Sequence, residues 1–309
     1  MADSTSGLRI SAVINTLNEE RRLPFALRSV KSWVDEIIVV DMHSTDATRE
    51  IAESFGARVF LHEPLGYADP ARAFALEHAT GDWILVLDAD ELIPLPLSER
   101  LLEVARRDEA DVVVIPWLNY LLGAPLRGTG WGPTQDRHER FFRRGSVAAQ
   151  PAIHAFLAIQ PGARVLELPY AEGLAVVHFN YLDVHHFLDK LNRYTDIEAE
   201  RVQASRKAGS VPRALVRAGR EFVSRFVRFQ GFRDGWRGFY LSALMATYRV
   251  AVAAKVRERQ VNGDRHAVEA AYEAEAEKVL AAYSQSASGH QPSLHQTPQA
   301  GLAAHRRAE

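Results

Sequence analysis

Five short aliphatic, largely β-branched runs punctuate the first 117 residues: 10–14 (ISAVI), 36–40 (EIIVV), 57–61 (ARVFL), 83–87 (WILVL) and 112–115 (VVVI). Between them, segments 20–32, 46–55, 70–79 and 97–107 repeat apolar residues at helical spacing. Gly56 and Gly81 stand where helices stop, and Ser44-Thr45-Asp46 stands where one starts. Near-continuous apolar strands alternating with helices require a parallel sheet covered on both faces. The spacing therefore predicts an α/β fold with a parallel-rich sheet over residues 1–117.

Residues 118–182 change character. Gly and Pro become dense in GAPLRGTGWGP, followed by strand-like pieces near 139–143, 164–168 and 174–179. An irregular, partly antiparallel lobe is expected there. Residues 183–283 read as a helical C-terminal region, and the polar, low-complexity segment 284–309 is expected to lack fixed structure.

Composition excludes several classes. The formal net charge of -2 offers nothing to nucleic acid as a partner, and the absence of cysteine removes disulfides, thiolate metal sites and thiol catalysis. MADSTSGL has no signal-peptide pattern, and no run reaches the roughly 18 apolar residues of a membrane span. A cytoplasmic body is expected.

Open parallel sheets bind ligands at the carboxyl ends of their strands. Asn15-Thr16-Leu17-Asn18-Glu19-Glu20 follows the first strand, Asp41-Met42-His43-Ser44 the second and Asp88-Ala89-Asp90-Glu91 the fourth. Helix capping accounts for Ser44, Thr45 and Asp46 but not for Asp41 or Asp88, which sit at strand ends. The first turn, NTLNEE, lacks Gly-x-Gly-x-x-Gly, and no Gly-x-x-x-x-Gly-Lys-Ser/Thr loop occurs, so a bound diphosphate would have no backbone cradle. A divalent cation with oxygen ligands, Mg²⁺ or Mn²⁺, would make Asp88 and Asp90 tolerable together and hold phosphate beside them.

The stretch VINTLNEE…EIIVVDMHSTDATREIAESFGARVF…ARAFALEHATGDWILVLDADE resembles the nucleotide-sugar domain of family 2 glycosyltransferases of the GT-A fold. The resemblance is strong over residues 9–117 and looser to about 250, and its nearest subgroup is that of bacterial lipopolysaccharide-core glucosyltransferases. It implies that Asn15, Thr16 and Glu19 line the nucleotide, that Asp41 accepts from the base (most naturally uracil), and that Arg72 reaches the nucleotide or diphosphate. It also implies that Asp88, Ala89 and Asp90 hold the donor, with Asp88 and Asp90 at the metal. Relatives often read Ala-Arg-Asn where this chain has Ala71-Arg72-Ala73.

In such enzymes a glycine-rich loop precedes the acidic general base. Gly128-Thr129-Gly130-Trp131-Gly132 followed by Gln135-Asp136 fits that order, which implies Asp136 as base with Glu139 as its rival. A late histidine often joins the metal; His178 in AVVHFNY fits, and His154 in PAIHAFL is the alternative. The expected reaction is inverting transfer from a nucleoside-diphosphate sugar, UDP-linked, to a hydroxyl of a glycan or lipid-linked acceptor. Two other classes compete. A sugar-1-phosphate nucleotidyltransferase needs a basic, glycine-rich loop after the first strand, which residues 15–20 lack; a non-catalytic membrane- or partner-binding protein would not need Asp41, Asp88 and Asp90 together.

Residues 206–233 hold eight basic residues and one acid, Glu221. At helical spacing Leu215, Val216, Phe222, Val223, Phe226, Val227 and Phe229 fall on one face, while Arg217, Arg220, Arg225 and Arg228 fall on the other. Such a helix is expected to lie peripherally on the anionic inner face of the cell membrane, to pack its apolar face on the catalytic domain, or to do both, with Trp236, Phe239 and Tyr240 extending the contact.

Overall fold

The computed structural model describes residues 7–63, 69–148, 157–204 and 210–287. In chain order the first half contains β1 (Ile10–Thr16), α1 (Leu23–Val30), β2 (Glu36–Asp41), α2 (Thr48–Ser54), β3 (Arg58–Leu61), α3 (Asp69–His78), β4 (Trp83–Asp88), β5 (Glu91–Leu92) and α4 (Leu95–Arg107). The second contains β6 (Val112–Leu121), β7 (Ala124–Pro125), β8 (Arg137–Arg143), β9 (Val147–Ala148), β10 (Ala158–Ile159), β11 (Val165–Glu167) and β12 (Val176–Tyr181). Helices α5 (Val184–Ala204), α6 (Val211–Val223), α7 (Gly235–Asn262) and α8 (Arg265–Ala287) follow.

The α/β class and the parallel-rich sheet are as the sequence predicts. The main sheet runs β3-β2-β1-β4-β8-β6-β12-β5. Strands β3, β2, β1 and β4 are mutually parallel; β8 is antiparallel to both β4 and β6. Alternate residues of the continuous apolar runs enter different cores. Ile14, Val39 and Leu85 pack with Leu27 of α1 and Leu101 of α4, whereas Val13, Ile38 and Val86 pack with Ala71 and Ala75 of α3. Helices cover both faces, so the strands have no polar side to alternate with.

Residues 118–182 form a lobe that carries β7 to β12, four of them only two or three residues long. Its glycine-rich loop docks on the segment after α6, where Ser224–Arg228 winds as a π-helix and Gly231–Asp234 as a 3₁₀ turn. Thr129 N–H donates to the Phe229 carbonyl at 2.9 Å, and a Cβ at Gly128 would lie 2.5 Å from the carbonyl oxygens of both Phe229 and Gln230. Only glycine allows that approach.

The chain forms two compact units, 1–253 and 254–309. In the second, α8 is exposed along nearly all its described length and continues past Ser284 to Ala287, into the segment expected to lack structure. Residues 288–309 lie outside the described residues. Among the described residues no helix is long and apolar enough to cross a membrane.

Candidate active site

Strand register assembles the site. Parallel pairing sets Asn15 beside Asp88 and Thr16 beside Asp41. The carboxyl ends of β1 and β4 thus open into a cleft of about 620 Å³, closed on its other side by His178 of β12 and by Lys190 and Arg193 of α5. Asn15 Oδ1 and Thr16 Oγ1 are buried there with no hydrogen-bond partner among the described residues. Buried polar atoms without partners are costly, and these two face the space where a ligand would satisfy them.

Three carboxylates crowd this edge, and each has its own compensation. Burial alone would raise Asp88, but Arg72, at 2.6 and 2.9 Å, and Arg140, at 3.3 Å, hold it well below the usual carboxylate range. Burial likewise opposes ionisation of Asp90, and His178 more than offsets it, so its carboxyl also lies low. Glu91 is 1% exposed and burial pushes it up, against the opposing pull of Arg140. Its oxygens accept from Trp117 Nε1 and from the Asp88 backbone N–H, each at 2.8 Å. Arginines already make Asp88 tolerable without the metal that the sequence suggests for that purpose.

His178 sits between two neighbours fixed by the sheet: Asn119 of β6 and Glu91 of β5 are its register partners. Its Nδ1 lies 2.7 Å from Asn119 Oδ1, and its Nε2 lies 3.6 Å from Asp90 Oδ1. Asn119 is wholly buried. Its amide nitrogen donates to Asp136 Oδ2 at 2.6 Å and to the Trp131 carbonyl at 3.0 Å. Both of those partners only accept, so the amide oxygen must face His178 and Nδ1 must carry the proton. The Nε2 lone pair is then directed to the Asp90 side.

These contacts decide the fit of Mg²⁺ or Mn²⁺. Among the described residues no group of three or more His, Asp or Glu side chains could hold a metal. Asp90 and His178 do face one another, and small divalent cations are commonly held by one or two protein ligands with substrate phosphates and water completing the shell. The donor set fits such an ion through Asp90 and His178, while Asp88 is engaged by its arginines. Burial lowers the His178 pKa, but the neighbouring Asp90 more than reverses this, so it is raised above its ordinary value and protons compete with a metal there.

The remaining expected residues fall in different places. Glu19 lines the cleft, and burial pushes its carboxyl up to about 7. Asp41 is wholly buried and closes its own turn, accepting from Ser44 N–H at 2.9 Å and from the Ser44 hydroxyl; Met42 faces the cleft instead. This is a turn of the loop before α2 and not a helix cap, since α2 has Ala47 at its N-cap with no side-chain cap bond; capping does not account for Asp41, as expected. Asp136 is held by Asn119 and by His138 Nε2 at 2.8 Å; burial raises its pKa, and the His138 contact outweighs this to leave it low. Glu139 is half-buried on β8, paired in register with Val114. His154 lies outside the described residues. Asn119 and Lys190 were not singled out as site residues by sequence, whereas Arg140 of RFFRRG, a candidate for diphosphate or an anionic acceptor, binds Asp88 instead. The one available signal was a lone amide in the apolar strand WLNYLL.

The description "Glycosyl transferase family 2" applies to a profile that matches residues 11–157. The chain is 30% identical over 261 residues to the lipopolysaccharide core biosynthesis glycosyltransferase LpsC of Rhizobium meliloti, covering 82% of this chain and 93% of that one. It is 28% identical over 255 residues to an uncharacterized glycosyltransferase of Rickettsia felis, covering 81% of this chain and 90% of the relative. Among solved structures, glucosyl-3-phosphoglycerate synthase from Mycobacterium tuberculosis, in complex with Mn²⁺, UDP and glucosyl-3-phosphoglycerate, is 27% identical. That match covers 37% of this chain and 45% of that one with a TM-score of 0.31, too limited to bear on the geometry.

Proposed function

This chain belongs to glycosyl transferase family 2, and we propose on that premise that it is an inverting, metal-assisted transferase using a UDP-linked sugar. The observation that carries this is the cleft itself: unpartnered Asn15 and Thr16 beside Asp90 and His178, with Arg22, Lys190 and Arg193 on the same walls. Amide and hydroxyl groups suit a nucleoside, and the cations suit a diphosphate. In the reaction the acceptor hydroxyl oxygen forms a bond to the sugar's anomeric carbon as the bond to the diphosphate oxygen breaks. The hydroxyl proton passes to a carboxylate, for which Asp136 is proposed and Glu139 is the rival. His138 keeps Asp136 ionised, and Asn119 orients it. A divalent ion held by Asp90 and His178 would carry charge building on the departing diphosphate. The nucleotidyltransferase and non-catalytic readings find no support in a chain of this family.

The acceptor is proposed to be a glycan or lipid-linked glycan met at an anionic membrane surface. The name of the Rhizobium relative supports a lipopolysaccharide-type acceptor. The surface of α6 supports the membrane. Its inward side is Ala214 and Ala218, while Leu215, Val216, Val223 and Val227 are each more than half exposed. The rest of the apolar face, Phe222, Phe226 and Phe229, is half-buried, so the helix packs part of this face and leaves part for the proposed membrane contact. Phe222 and Phe226 meet Phe239 edge-on, and Trp236, Phe239 and Tyr240 extend the exposed patch, with exposed Arg213, Arg217, Arg220 and Arg228 beside it. Arg225, expected on that basic face, instead turns inward to Glu221 and Thr129.

The test is incubation with UDP-sugars and Mn²⁺, measuring free UDP. Release that disappears in chelator and in Asp90→Ala is expected. Full activity in excess chelator would remove the metal from this account, and no release with any nucleotide sugar would remove the transferase reading.

A further inference from the structure

Beside the donor cleft lies a second cavity of about 670 Å³. Tyr181 and Tyr194 line both, so the two spaces meet at these rings. The second has none of the strand-end carboxylates. Its walls are Trp131 of the glycine-rich loop, Phe187 and Leu191 of α5, and Met245 and Tyr248 of α7. Three arginines, Arg201, Arg225 and Arg249, join these walls with one acid, Glu198, while Glu221 pairs with Arg225 and Arg249.

We infer that this cavity receives the acceptor, and that the acceptor is a sugar bearing an anionic group, a carboxylate or a phosphate. The inference rests on the glycosyl-transfer reading of the adjoining cleft. Aromatic faces pack against the C–H faces of a sugar ring, and the volume is of the size that accommodates small ligands, about 300–1,000 Å³. Aromatic walls alone would suit any apolar group; the loosely held guanidinium of Arg249 selects charge. Arg225 is committed, lying over Trp131 at 4.6 Å and donating to Glu221 and to the Thr129 carbonyl, each at 2.7 Å. Arg249 is held more loosely, 3.2 Å from Glu221 and 3.5 Å from Glu198, and Glu198 already accepts from Tyr248 at 2.6 Å. An anion entering the cavity would exchange these long contacts for short, charge-assisted bonds. Asn119 ties the arrangement to catalysis: its amide bonds the Trp131 carbonyl, Asp136 and His178 together.

The experiment is saturation-transfer NMR on the full chain with three probes: glucuronic acid, glucose 6-phosphate and glucose. Charge-assisted contact with Arg249 predicts that at least one acidic probe binds about tenfold more tightly than glucose. The stronger of the two identifies carboxylate or phosphate. The preference is expected to vanish in Arg249→Gln and to survive in Arg249→Lys, with folding followed by thermal melts, and UDP should not displace the probe. Equal binding of all three, no binding, a preference indifferent to Arg249→Gln, or displacement by UDP would each overturn it. UDP binding with Mn²⁺ is measured on the same samples. If UDP binds and the acidic preference is absent, only this inference fails; if UDP does not bind, the donor reading fails.

Discussion

Asn119 holds His178 by a 2.7 Å contact between its amide oxygen and the imidazole Nδ1, across the parallel pairing of β6 and β12. That contact fixes the tautomer that leaves Nε2 available beside Asp90. Removing it in Asn119→Ala should lower Mn²⁺ affinity and turnover by about 10–100-fold, the usual scale for a group that orients a metal ligand. It also takes the Asn119 donor from Asp136 Oδ2 and the Trp131 carbonyl, so stability should fall by about 1–3 kcal/mol. Titration of Mn²⁺ and a urea unfolding curve check the two effects. Unchanged Mn²⁺ affinity would reduce Asn119 to a packing residue.

Asp136→Asn should abolish turnover while sparing UDP binding, because the amide keeps the shape and loses the basicity. Steady-state rates for Asp136→Asn and Glu139→Gln decide the assignment. Normal turnover in the first and loss in the second would move the base to Glu139.

Glu19 has a folded pKa near 7 against an ordinary 4.5. The folded state therefore binds more protons than the unfolded state between these values, and the contribution of Glu19 to stability falls as pH rises through that window. Glu19→Gln removes the ionisation. Its melting temperature relative to wild type, without metal or nucleotide, should be higher at pH 8 than at pH 5. A difference independent of pH would show that burial does not perturb this carboxyl.

Gly128→Ala drives a Cβ to 2.5 Å from two carbonyl oxygens of the segment after α6. The glycine-rich loop must shift, at a cost of about 1–3 kcal/mol typical of overpacking. Gly219→Ala is the control: nothing lies within 4 Å of its added Cβ, and a helix interior favours alanine by up to about 1 kcal/mol. Thermal melts should separate them, the first lowered by several degrees and the second equal to wild type or raised.

Co-sedimentation with liposomes tests the α6 surface. Wild type should pellet with anionic vesicles at low salt and be released as salt rises. Arg213/Arg217/Arg220→Glu should weaken binding by at least about 100-fold, since each basic residue contributes about 1 kcal/mol at such a surface. Equal recovery of wild type in the supernatant with neutral and anionic lipid would remove the membrane from the function.

How much was legible in the sequence follows from the range over which each signal acts. Residues 10–14, 36–40, 57–61 and 83–87 announced strands because burial on both faces demands unbroken apolar runs, a local property. The α6 face was legible for the same reason, since helical periodicity is local too; whether Leu215 and Val227 are covered is not local, and the fold leaves them exposed. Asn15, Asp88 and Asp90 could be placed at one edge because parallel strands end on the same side. Their partners could not. Arg72 and Arg140 meet at Asp88 from 16 and 52 residues away in sequence, and Asn119 meets His178 across 59. Asp41 and Asp88 look equivalent as strand-end acids, yet one folds back on Ser44 and the other faces the cleft between arginines. Sequence by itself determined which elements form and which edge carries polar groups. Only tertiary structure decided which charge compensates which, because Coulombic and hydrogen-bonding partners depend on distances of a few ångströms between elements remote along the chain.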